Sequence, residues 1–94
     1  MSVLVRHYPR DLTREKYDDV NRRMEEAGVP WPPDGLDLHV LFGPEGNLRV
    51  SEIWDSEEQF QAFVERLFPT MNEAGVEVER DPEILEVHEL QKRG

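Results

Sequence analysis

The chain has 94 residues, with 21 acidic against 11 basic for a net charge of −10, and no cysteine. This length fits a single domain over residues 1–94 and not two; disulfides, thiolate metal sites and cysteine nucleophiles are excluded, and the want of a disulfide framework reads as cytoplasmic. A protein holds DNA or RNA by neutralising phosphate, so this acidity argues against nucleic acid and anionic membrane surfaces as partners, and no stretch is apolar enough for a signal peptide or a membrane span.

Residues 2–8 are rich in β-branched and aromatic types and read as a first strand, ended by Pro9. Thr13 then reads as a helix N-cap, with Leu12 and Tyr17 at the spacing of a hydrophobic staple. Tyr17, Val20, Met24 and Ala27 form a narrow apolar stripe on an otherwise charged helix, and Gly28 stops it as a residue able to take positive φ. The acidic residues of this helix alternate with arginines and read as a solvated face. The proline- and glycine-rich stretch 28–35 is a loop, and its Trp31 either packs over the core or touches a ligand.

Two β-rich runs, 36–42 and 48–54, flank a Pro/Gly turn at 43–47 and read as a hairpin. A second helix opens on a capping box, Ser56 with Gln59 or, one residue earlier, Asp55 with Glu58. Phe60, Phe63, Val64, Leu67, Phe68 and Met71 follow the helical apolar period closely, and Pro69 is expected to kink or restart the helix before Gly75 ends it. Residues 76–83 read as irregular and 84–90 as the last strand.

The order β-α-β-β-α-β is the ferredoxin-like arrangement of the α+β class, with two helices on one face of a four-stranded antiparallel sheet. The expected order across that sheet is fourth, first, third, second strand. Apolar residues fall on both parities of the strands, Leu38, Val40 and Phe42 pointing one way and Leu41 and Ile53 the other. An apolar second face with no chain to cover it calls for a partner subunit, so a homodimer is expected.

Residues 35–76, followed by 86–90, resemble small bacterial proteins of the dimeric α+β-barrel superfamily, which includes antibiotic-biosynthesis-type monooxygenases. The shared pattern is Gly35-Leu36 with His39, the turn, a strand ending in Trp54, an acidic-serine cap, a phenylalanine-rich helix and a late Val87-His88. The resemblance implies a homodimer whose sheets face each other, with a pocket between sheet and helices in each subunit. It does not imply one reaction, since superfamily members include oxygenases, isomerases, haem-handling proteins and proteins of unknown activity.

Glu52 and His39 are the candidate catalytic residues. By alternation Glu52 shares a face with Val50 and Trp54, opposite Leu38, Val40 and Phe42. A carboxylate on an apolar face is either paired, with Arg6 as a candidate, turned to solvent, or raised toward neutrality as a proton-transfer group. Trp54, His88, Phe63 and Trp31 are candidate ligand-binding residues, or else ordinary core aromatics and a locally bonded histidine. His7, His39 and His88 form no recognised metal spacing, and the expected strand order keeps His39 from His88 and His7 from His88, so no metal site is expected. No Gly-rich phosphate loop or dinucleotide fingerprint is present, and no cofactor is expected. Three functions are compatible with these residues: a dimer binding a small apolar or aromatic molecule between sheet and helices, a cofactor-independent monooxygenase or isomerase, and a non-catalytic structural or regulatory dimer.

Overall fold

The computed structural model describes residues 1–93. Its strands are β1 (Val3–His7), β2 (Pro9–Arg10), β3 (Leu36–Phe42), β4 (Arg49–Trp54), β5 (Glu77–Val78) and β6 (Glu83–Glu86), and its helices α1 (Arg14–Glu26) and α2 (Glu57–Glu73). The main sheet is antiparallel in the order β3-β4-β1-β6, which is the ferredoxin-like order expected. No helix among the described residues is long and apolar enough to cross a membrane.

Both helices begin where short polar side chains cap them. Thr13 accepts from the Lys16 backbone N–H at 3.1 Å, and Ser56 accepts from that of Gln59 at 3.2 Å while its hydroxyl donates to the Gln59 side chain at 2.9 Å. Gly28 and Gly75 follow the helix ends with φ of 79° and 77°, the left-handed conformation that costs glycine least. Pro69 neither ends nor restarts α2, which runs unbroken to Glu73. The carbonyl that loses its partner is that of Glu65, four residues back, and Glu65 and Pro69 both lie on the exposed side, open to solvent.

The inner face of the sheet carries Val3, Val5, Val50 and Trp54 against Phe60 and Phe63 of α2 and Val20 and Met24 of α1. Trp54, Phe60 and Val5 are almost wholly buried, and each such side chain contributes about 2 kcal/mol by leaving water. The outer face is different. Leu38, Val40 and Phe42 of β3 and Leu85 of β6 are 39%, 40%, 46% and 41% exposed, a row of apolar residues open to solvent.

Three expectations need correction. The turn of the hairpin takes in Leu48, whose N–H donates to the Leu12 carbonyl at 3.0 Å instead of pairing with β3. The strands therefore pair as His39 with Glu52, Leu41 with Val50 and Phe42 with Arg49. Leu38, Val40 and Phe42 thus lie on the face away from Glu52, together with Ile53, while Leu41 joins the Glu52 face. Between Leu36 and Leu38 a bulge slips the register by one residue, which returns Leu36 to the inner face opposite Trp54. Next, residues 77–78 are not irregular: they pair with Pro9–Arg10 in a small second ladder, anchored by buried Val76. Finally, the last strand spans 83–86, not 84–90, and leaves His88 beyond its end.

Candidate functional site

The register of β3 on β4 sets Glu52 directly across from His39, and the register of β1 on β4 sets it across from Val5. His7 lies two residues along β1 from Val5, a diagonal neighbour that a long side chain reaches. Both imidazoles turn to the carboxylate. His39 Nδ1 lies 2.7 Å from Glu52 Oε2, His7 Nε2 lies 2.8 Å from Oε1, and the Trp54 indole N–H donates to Oε1 at 3.3 Å. A carboxylate has only lone pairs to offer, so both histidines donate and their tautomers follow.

Glu52 is 2% exposed, the one charged residue buried among the described residues. Burial by itself would raise its carboxyl, but the hydrogen bonds from His39 and His7, with the charge those rings carry when protonated, outweigh burial and hold it down to about 2. Of the alternatives open to a carboxylate on this face, Glu52 is the hydrogen-bonded one, and its carboxyl is not raised toward neutrality as a proton-transfer group's would be. Arg6 is not its partner: the guanidinium lies on the other side of β1, 3.7 Å from Glu83. Glu52 is a buried anion that fixes the orientation of both imidazoles.

The chain of polar contacts continues outward. With Nδ1–H given to Glu52, the Nε2 of neutral His39 accepts from the Tyr17 hydroxyl, 2.7 Å away on α1. The Trp31 ring stands edge-on to His39 at 5.1 Å between centroids, and His7 meets Phe60 at 5.7 Å.

These side chains open on a cavity of about 560 Å³ between the sheet and the two helices. Tyr17, His39, Glu52 and His7 form its polar wall; Val20, Met24, Phe63, Leu67 and Met71 form the apolar one, and Trp31 and Arg80 stand at its borders. A volume of this size and a mainly apolar lining with few converging polar groups are what small-molecule sites share.

Of the residues singled out from sequence, Glu52, His39, Phe63 and Trp31 come together here. Trp54 does not reach the wall: it is wholly buried behind Glu52, packed on Phe60 and Phe63. His88 is exposed past the end of β6 and takes no part. Two members had not been placed in the site from sequence. His7 carried a signal, since it alternates with Val3 and Val5 and so faces inward. Tyr17 carried none beyond its place in the apolar stripe of α1, because nothing in the spacing says which strand residue a helix side chain will meet. Among the described residues no group of three acidic or histidine side chains is disposed to hold a metal ion.

No family model and no curated protein sequence matches this chain. Solved structures do. The heme-degrading protein Rv3592 from Mycobacterium tuberculosis is 19% identical, with 98% of this chain and 100% of that chain covered at a TM-score of 0.55. Rv0793 from the same organism is 16% identical over 99% of this chain and 97% of its own, with a TM-score of 0.54. NE2512, a protein of unknown function from Nitrosomonas europaea, is 13% identical over 99% and 93%, with a TM-score of 0.55. The α+β fold is shared along the whole chain. At these identities the likeness carries the fold alone, and what Rv3592 does to heme belongs to that protein.

Proposed function

We propose that this protein binds a small apolar or aromatic molecule in the cavity between sheet and helices, and that it does so as a homodimer. The observation that carries the first part is the open cavity of about 560 Å³ with a buried, hydrogen-bonded carboxylate and two histidines at its wall. A preformed cavity of that size, mainly apolar with a few converging polar groups, is what small-molecule sites share. A purely structural dimer gives no reason for it.

Titration with naphthalene-sized aromatics tests this reading. Trp31 fluorescence is expected to change on binding, and Trp31→Phe to remove the signal while the compound still binds. Met71→Trp, which puts bulk into the cavity from α2, is expected to weaken binding at least tenfold. Absence of binding at millimolar concentrations of every bicyclic aromatic tried would end this reading.

The homodimer rests on the outer face of the sheet, where Leu38, Val40, Phe42 and Leu85 lie uncovered. The resemblance to dimeric α+β barrels, in which the sheets of two subunits face each other, supports this reading. Val40→Asp sets a charge in the middle of β3 on that face and is expected to halve the mass seen by sedimentation equilibrium, leaving the circular dichroism unchanged. A wild-type protein that sediments as a monomer at 100 µM would remove the dimer.

A second reading, a cofactor-independent enzyme, is favoured by one observation. The Glu52–His39–Tyr17 chain ends on the cavity, and a carboxylate–imidazole pair behind a hydroxyl is an arrangement that moves protons.

A further inference from the structure

Among the described residues Tyr17 is the only hydroxyl in the cluster around Glu52, and its surroundings differ from those of an ordinary packing tyrosine. Its oxygen lies 2.7 Å from His39 Nε2, and His39 Nδ1 lies 2.7 Å from the Glu52 carboxylate, which is almost wholly buried. Both nitrogens of His39 are therefore engaged, and Glu52 accepts from His7, His39 and Trp54. His39 has no lone pair left for a bound molecule, and the one that Glu52 keeps on Oε2 belongs to a carboxylate only 2% exposed. Tyr17 lines the cavity and, while donating to His39, keeps a lone pair on its oxygen. One helical turn on, on the same side of α1, Asn21 also lines the cavity.

From this geometry we propose that Tyr17 is the catalytic residue of the cavity, exchanging a proton with the α-carbon of an aromatic or aryl-fused ketone, with His39 as the acceptor behind it and Glu52 as the positioning residue. The proposal rests on the ligand-binding reading given above and adds to it a reaction and a substrate class. The step balances without a co-reactant. The substrate C–H bond breaks, and its proton goes to the Tyr17 oxygen as the phenolic proton passes to His39 Nε2. The C–H electron pair becomes the enolate C=C bond, and the carbonyl π pair moves onto oxygen, for which Asn21 of the cavity lining offers a neutral amide donor. The imidazolium so formed keeps its Nδ1–H on Glu52, so the positive charge appears beside a fixed negative one. The reverse step returns a proton to carbon.

His7 is the rival. It also bonds Glu52, and its Nδ1 has no partner among the described residues, but its ring is packed against Phe60 with 12% of the side chain exposed.

Hydrogen–deuterium exchange of 2-tetralone in D₂O, followed by proton NMR, tests the proposal, with binding measured on the same samples by fluorescence. Wild type is expected to bind the ketone and speed loss of its α-proton signal over buffer at least 100-fold. Tyr17→Phe is expected to lose that acceleration by about 100-fold or more while its dissociation constant changes less than threefold, a split that a packing role would not give. His39→Gln is expected to lose it too. Exchange at the wild-type rate in Tyr17→Phe, with loss in His39→Gln or His7→Gln, would assign the proton to a histidine and overturn the proposal. So would binding without accelerated exchange in wild type, which leaves the ligand-binding reading standing. Failure of 2-tetralone and all other bicyclic aromatics to bind would overturn both.

Discussion

Glu52→Gln is expected to lower the unfolding free energy at neutral pH by about 3 kcal/mol and to lower it far less near pH 2. The carboxyl titrates at about 2 in the folded protein against an ordinary value of 4.5. A difference of 2.5 units at 1.36 kcal/mol each comes to about 3 kcal/mol. The sign follows from proton counting. Between pH 4.5 and pH 2 the unfolded chain binds more protons at this residue than the folded one, so stability from Glu52 is full above pH 4.5 and is lost as pH falls through 2. Glutamine keeps the shape and removes the charge. Its amide also brings N–H groups toward two imidazoles that both donate to Glu52 in the native protein, so one of them must change tautomer. Urea unfolding from pH 2 to pH 7 reads the effect directly: the variant's curve should lack the part of the acid slope that wild type shows. Parallel curves would mean that Glu52 is not held by the histidines in solution.

Trp54→Ala should cost about 4 kcal/mol. The indole is wholly buried and packs on Phe60 and Phe63 with ring centroids 5.7 and 5.5 Å away. Removing it leaves a cavity among rigid neighbours, and the loss is a large share of the 5–15 kcal/mol that holds a typical domain together. Trp54→Phe separates packing from hydrogen bonding. It keeps an aromatic ring and gives up only the 3.3 Å bond to a carboxylate that retains His7 and His39, so it should cost about 1 kcal/mol. Because Trp54 sits behind Glu52 and not on the cavity wall, Trp54→Phe should leave the affinity for aromatic ligands within threefold of wild type. Denaturation midpoints at constant m-value, together with ligand titration, check both; equal losses in the two variants would show that the indole does not carry the core.

The helices were legible residue by residue. Thr13 and Ser56 announce their starts, Gly28 and Gly75 their ends, and the phenylalanine spacing of α2 its buried side. Such features are local, settled by backbone groups within one turn of the residue that satisfies them. Pro69 does not restart α2, because the cost of a missing hydrogen bond depends on whether water can replace it, and that depends on which side of α2 faces out.

The candidate site was legible only in part. Glu52 and His39 stand out as polar residues in apolar strands, but their meeting depends on one residue of turn length. Had Leu48 opened the second strand of the hairpin, as its composition suggests, His39 would lie opposite Ser51 and point away from Glu52. What decides the matter is a bond from Leu48 to Leu12, made by a residue far off in the chain. His7 reaches Glu52 because β1 pairs with β4, and Tyr17 reaches His39 from α1; neither follows from spacing. By itself the sequence determined the helices, their caps, the strand count of the main sheet and the apolar outer face, all products of local propensity and period. Tertiary structure decided the register, the bulge before Leu38, the small β2–β5 ladder and the polar chain from Glu52 to Tyr17, because each depends on a contact between segments distant along the chain.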